Sequence, residues 1–214
     1  MVTIYLIRHG TTESNAKGIF QGQLDIPLNE RGRAQADCLA RRFENVPLDA
    51  VYSSPLSRAY ETAEYVGRSH GLTPVAVPEL SEINGGLMQG KDGDTNRRLY
   101  PEQIYYMSYE PAKFCAPGGE TSRQLYDRMI RAVGSIAAEN QGKNVAVVTH
   151  GFAIQMFMSY VEGDAFEDTA YRIVGNASVT TVTYDDALNV RLERFNDESH
   201  IPENLRFEFL KGFA

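Results

Sequence analysis

Two apolar runs, Thr3-Ile4-Tyr5-Leu6-Ile7 and Asn144-Val145-Ala146-Val147-Val148-Thr149, dominate the sequence, and a His-Gly dipeptide closes each segment. β-Branched and aromatic residues without polar alternation suit strands at the centre of a parallel sheet, covered by helices on both faces. Parallel strands deliver the residues after them to one carboxyl edge, where open α/β sheets bind ligands. If both runs are central and parallel, His9 and His150 emerge side by side. Taken alone, a histidine at a strand end reads as a hydrogen-bonded core residue. Two of them, each followed by a glycine that lets a ligand approach the backbone, read as a site.

The remaining pattern supplies what such a sheet needs. Thr11 to Pro27 reads as a loop. A helix is predicted from Glu30 with Asn29 as its N-cap and a stripe of Ala36, Leu39, Ala40 and Phe43. Leu48 to Ser53 reads as a short strand. Ser54-Pro55 then resembles an N-cap followed by proline at the first helical position, opening a helix lined by Leu56, Ala59, Ala63 and Val66. Val75-Ala76-Val77, between two prolines, suits a short edge strand. A long helix follows Glu120-Thr121-Ser122, burying Leu125, Met129, Val133 and Ile136, and another runs from Gly151 to about Val161. Ser178–Tyr184 and Asn189–Phe195 alternate around Asp185-Asp186-Ala187-Leu188, which is hairpin grammar. The 214 residues are expected to form one domain, 1–214. It carries an excursion at about 79–119, rich in glycine, proline and tyrosine, with one short helix near its middle. Segments of this kind often serve as lids. The tail after Asn196 is polar, then amphipathic.

Charge narrows the partners. Twenty-eight acidic against 21 basic residues leave a net charge of −7, which argues against a nucleic-acid or anionic-membrane surface. Cys38 and Cys115 lie in no paired motif and read as free thiols of a reducing cytoplasm. The apolar run after Met1 is too short for a secretory signal and nothing approaches a membrane span, so a cytoplasmic location is expected.

The groups around the two histidines are those that hold a phosphate. Arg8 precedes His9, and Arg58 falls in the first turn of a helix near the end of another strand. By itself Arg58 would read as a surface partner of Glu61. Beside Arg8 it completes a two-arginine fork matched to phosphoryl oxygens. Glu82, at the start of the excursion, is the candidate proton donor for a leaving group. No His-Glu-x-x-His pattern occurs, and Asp92-Gly93-Asp94 is a lone Asp-x-Asp. Gly85–Lys91 has the Gly-x-x-x-x-Gly-Lys spacing but is followed by Asp92 where a phosphate loop needs Ser or Thr, so neither a metal centre nor a nucleoside-triphosphate loop is expected.

These residues, with further motifs, resemble the histidine phosphatase superfamily (phosphoglycerate-mutase-like), in its short phosphatase branch. The resemblance runs from Ile4 to about Asn176. It includes Arg8-His9-Gly10 with Asn15, Gly22-Gln23-Leu24-Asp25-Ile26-Pro27-Leu28, Gly32-Arg33-Ala34-Gln35-Ala36, and Ser53 to Ala63 around Arg58. Leu80-Ser81-Glu82 with Gly86 and Gly90, Pro117-Gly118-Gly119-Glu120-Thr121, and Val148-Thr149-His150-Gly151 complete it. It implies an α/β fold, a three-layer α/β/α sandwich, and a reaction without metal or other cofactor. It also implies that His9 is the nucleophile, that Arg8, Asn15, Arg58 and His150 hold the phosphoryl oxygens, and that Glu82 is the general acid/base. The expected partner is a small phosphorylated metabolite, with oligomeric state left open.

The expected activity is hydrolysis of a small phosphomonoester through a phosphohistidine. Two alternatives stand beside it: a cofactor-dependent phosphoglycerate mutase, and a catalytically weak module that binds a phosphorylated ligand. Leu87-Met88-Gln89-Gly90 replaces the Trp-Glu often found in the acid/base loop, and Ile83 stands where the mutases carry an arginine. Arg97-Arg98 could supply mutase contacts, though a solvated helix face is their plainer reading.

Overall fold

The computed structural model describes residues 1–206. The first apolar run becomes β1 (Val2–Arg8), which pairs in parallel with β4 (Asn144–Thr149), with Leu6 opposite Val147 and Arg8 opposite Thr149. β2 (Ala50–Ser53) pairs with β4 on its other side, and β3 (Val75–Ala76) lies beyond β2 as an edge. β5 (Val179–Tyr184) runs antiparallel to β1 and continues through a hairpin into β6 (Val190–Asp197). The order is β3-β2-β4-β1-β5-β6, six strands among the described residues. β1 and β4 are therefore central neighbours, and His9 and His150 leave the same edge.

Side-chain alternation divides the core. Ile4, Leu6, Val145 and Val147 face α6 (Ser122–Glu139) and α7 (Gly151–Glu162). Ile7, Ala146, Val148 and Val51 face α2 (Glu30–Phe43) and α3 (Ser57–Gly67). That is the three-layer α/β/α sandwich. A strand covered on both faces can be apolar at every position. Thr3 and Tyr5, by contrast, are only half-buried. Complete burial of each large aliphatic side chain contributes roughly 1.5–3 kcal/mol.

Local chemistry sets the helix starts. The Asn29 side chain accepts from the Gly32 N–H at 2.9 Å. Thr121 and Gln124 cap α6 reciprocally. The Thr11–Pro27 segment is not wholly irregular: Thr12 and Asn15 form a second capping box around one helical turn, α1 (Glu13–Ala16).

Three further expectations are corrected. β2 begins at Ala50 rather than Leu48. Helix α3 begins at Ser57 with Leu56 as its N-cap, because the Ser54 hydroxyl is engaged with His150 and accepts only from the Leu56 N–H. The excursion carries two α-helices rather than one, α4 (Gly93–Leu99) and α5 (Pro101–Tyr109), joined at Tyr100. Pro101 lacks the N–H that α4 would need to continue and suits the first position of α5. Beyond β6, the chain forms a turn at Glu203–Leu205 that returns to α2, where Gln35 donates to the Leu205 carbonyl. Residues 207–214, the end of the amphipathic tail, lie outside the described residues.

Candidate active site

The carboxyl edge of β1 and β4 opens into a cavity of about 190 Å³. Arg8, His9, Asn15, Arg58 and Glu82 all line it. His150 does not; it is completely buried behind His9, its ring centroid 5.1 Å away in an edge-on arrangement. The structure therefore brings all six expected residues to one locality, with His150 in a deeper layer.

Helix geometry explains why Arg58 is here. It lies on the buried face of α3 with Ala59, Thr62 and Ala63, only 1% exposed. Its guanidinium donates to the Leu24 and Gly22 carbonyls, both at 2.7 Å, and its Nε donates to His9 Nε2 at 3.2 Å. Asp25 accepts from the Ser57 N–H at the start of α3, docking the same loop. Glu61, the surface partner that spacing alone suggests for Arg58, pairs with Arg33 instead.

The Arg58 contact fixes the chemistry of His9. An arginine nitrogen can only donate, so His9 Nε2 must present its lone pair and the proton resides on Nδ1. That Nδ1–H donates to the Gly10 carbonyl at 2.6 Å. Burial, then the charges of Arg58 and Arg8, hold the His9 pKa well below the ordinary imidazole value. Burial likewise pushes both guanidinium groups down to about 10, opposed by the Glu82 carboxylate, and each remains a cation at neutral pH.

The neighbouring backbone holds the rest in place. Arg8 donates to the Val174 carbonyl, and Asn176 donates to the His9 carbonyl at 3.1 Å. A Cβ at Gly151 would stand 3.2 Å from Arg8 Nε and 3.3 Å from Cζ. Asn15 accepts from the Thr12 N–H and hydroxyl, so its side chain faces the cavity from a fixed turn. His150 is also driven well below its ordinary pKa, by burial first and then by the Arg58 charge. Its Nε2 lies 2.8 Å from the Ser54 hydroxyl, whereas Nδ1 has no hydrogen-bond partner.

Glu82 closes the arrangement. Helix α7 has no side-chain cap of its own. The Glu82 carboxylate takes that place from across the fold, accepting from Phe152 and Ala153, each at 3.1 Å, and from its own neighbour Ile83 at 2.9 Å. Its loop is clamped from behind by Arg128, which donates to the Glu79, Ser81 and Glu82 carbonyls while paired with Glu120.

A sequence model of the histidine phosphatase superfamily, branch 1, matches residues 4–198. The chain belongs to the histidine phosphatase superfamily. It is 30% identical over 204 residues to phosphoserine phosphatase 1 of Hydrogenobacter thermophilus, covering 95% of this chain and 96% of that one. It is 33% identical over 193 residues to the probable phosphoglycerate mutase GpmB of Yersinia pestis, covering 87% of each. The solved structure of YhfR from Bacillus stearothermophilus superposes with a TM-score of 0.89 at 32% identity, covering 94% of this chain and all of that one. Superfamily membership and these relatives support a phosphatase activity. No helix among the described residues is long and apolar enough to cross a membrane.

Several contributors escape a reading of the sequence: Ser54 behind His150, Arg128 behind Glu82, Asn176 beneath His9, and Gln155 in the cavity wall. Gln155 alone leaves a visible signal, as a buried polar residue between Ile154 and Met156 in an otherwise apolar stretch of helix.

Proposed function

We propose that the protein is a phosphomonoesterase that hydrolyses a small phosphate ester through a phosphohistidine on His9, within one domain formed by residues 1–214. The observation that carries this is the tautomer of His9. An imidazole with Nδ1–H tied to the Gly10 carbonyl keeps Nε2 unprotonated, and once a bound phosphoryl group draws the Arg58 Nε–H from it that lone pair can attack phosphorus.

In the proposed sequence, Arg8 and Arg58 neutralise the equatorial oxygens of the phosphoryl group, assisted by Asn15, with His150 completing the cradle through Nδ1. Charge-assisted hydrogen bonds of this kind contribute about 1.5–3 kcal/mol each. His9 Nε2 attacks in line, the P–O bond breaks, and Glu82 delivers a proton to the departing alkoxide. Water then enters, Glu82 removes its proton, and the phosphohistidine is hydrolysed to inorganic phosphate. Alignment and charge stabilisation account for most of the rate in phosphoryl transfer. Here the two arginines supply the positive charge, so the reading needs no metal. Among the described residues, no group of three or more His, Cys, Asp or Glu side chains is arranged to hold one.

The mutase reading draws less support. Arg97 and Arg98 were its candidate extra cations, but Arg97 pairs with Asp94 and neither lines the cavity. Arg172, which does line it, is paired with Glu162. The test is phosphate release from p-nitrophenyl phosphate in EDTA by the purified protein and by His9→Ala. The expected result is turnover by the first and none by the second. Equal turnover by both would remove His9 from the mechanism, and transfer between 3- and 2-phosphoglycerate without phosphate release would favour the mutase.

A further inference from the structure

The cavity has two ends of different chemistry. Arg8, His9, Asn15 and Arg58 surround the phosphoryl position. The wall as a whole exposes more apolar than polar surface, with Phe20, Ile83, Met107 and Phe152 beside the polar Ser108 and Tyr171. Within that wall Gln155 is 3% exposed, and its amide nitrogen has no hydrogen-bond partner. Buried amide donors are almost always satisfied within the protein, so one left unpartnered in a ligand cavity is a candidate for a substrate contact.

Its position defines what it can reach. Gln155 stands four residues after Gly151 on α7, so the two share a helix face, one turn of about 6 Å apart. Long side chains on a helix lean back toward its N-terminus, here toward the Gly151 end that abuts Arg8. An amide so placed meets a leaving group several bonds beyond the ester oxygen. The wall's cationic member, Arg172, is held by Glu162 with Asp164 at 3.9 Å, so a carboxylate there would face charge already compensated.

We infer that Gln155 is a specificity-determining residue that donates its amide to a neutral acceptor on the leaving group. The favoured substrates are phosphomonoesters of largely apolar alcohols that carry a carbonyl or hydroxyl oxygen at about that distance. This rests on the phosphatase reading above and goes beyond it by naming the substrate class.

The test compares kcat/KM for 4-oxopentyl phosphate, which has the acceptor, with that for pentyl phosphate, which lacks it. 3-Phosphoglycerate serves as an anionic comparison. The wild-type protein is expected to prefer the ketone over the alkyl ester by about tenfold, the worth of one hydrogen bond to a buried donor, and over 3-phosphoglycerate. Gln155→Met and Gln155→Glu, which keep the side chain's length but remove the donor, should each bring the ketone-to-alkyl ratio close to one. Using a ratio cancels any general loss of active protein. A wild-type ratio of one or less, or a ratio unchanged in both variants, would overturn the assignment while leaving the phosphatase reading intact. Failure of the wild-type protein to release phosphate from any ester would overturn the phosphatase reading and this assignment with it.

Discussion

Glu82 and Ala153 are joined by a hydrogen bond of 3.1 Å that ties the start of the excursion to the first turn of α7. With the parallel bond from Phe152, it makes the proposed acid/base also the missing cap of the helix that follows His150. The carboxylate is thus positioned by the same backbone that positions the second histidine.

Replacing Glu82 with glutamine removes the proton shuttle while preserving size. Turnover is expected to fall by about 10²–10⁴, the usual worth of general acid–base help. Inhibition by inorganic phosphate should be retained, since Arg8 and Arg58 remain. Steady-state kinetics with phosphate as inhibitor checks this; an unchanged kcat would remove Glu82 from proton transfer.

Arg58 anchors a loop beside its proposed place in the phosphate cradle, because two of its bonds go to the Gly22 and Leu24 carbonyls. Lysine cannot span these acceptors and His9 together. Arg58→Lys should lower kcat/KM by about 10–100-fold and weaken phosphate inhibition in parallel. Phosphate inhibition equal to that of the wild type would contradict its place in the cradle.

Two glycines separate fold from site. A Cβ on Gly32 would lie 2.0 Å from the Thr11 carbonyl oxygen, where the turn after His9-Gly10 crosses the start of α2. Gly32→Ala should cost about 2–4 kcal/mol of stability in urea unfolding. At Gly151 the added carbon meets the Arg8 guanidinium, a side chain that can shift. Gly151→Ala should instead spare stability and raise the phosphate inhibition constant. The opposite pattern would contradict both placements.

Stability should depend on pH through the buried histidines. His9 and His150 are held well below the ordinary imidazole value by burial, and burial takes His200 down to about 4. The unfolded chain binds protons at these positions from about pH 6.5 downward while the folded chain does not. Each group then removes up to about 1.4 kcal/mol per pH unit as pH falls. The His200 contribution levels off below about pH 4. Urea midpoints measured from about pH 7 to pH 5 should fall steadily, and constant midpoints would contradict the neutral, buried imidazoles. In kcat/KM, His9 should produce no loss near pH 6.5.

The sequence exposes the frame of this site more readily than its supports. His9 and His150 are legible because the runs before them are apolar without alternation, which points to central strands. Arg58 is harder to assign from pattern alone. The stripe expected in its helix runs through Leu56, yet Leu56 is the half-buried N-cap and Arg58 the buried residue. Periodicity ranks residues by hydrophobicity and cannot register carbonyls from a distant loop that replace water around a cation. The same limit hides Ser54 beneath His150 and Arg128 behind Glu82, whose partners come from separate segments. The pair α4 and α5 reads as one helix in the sequence because the tyrosine-rich stretch outweighs the Asp92 cap, which accepts from Thr95 and starts α4.

The central claim is that His9 carries the phosphoryl group between the two half-reactions. Rapid acid-free quenching of the protein with substrate, followed by peptide mass spectrometry, tests it most directly. The account predicts a phosphoryl group on the His9 peptide that survives base, is lost in acid, and accumulates further in Glu82→Gln at limiting water attack. A fully active protein that never carries phosphate on that peptide, or carries it elsewhere, would contradict the account.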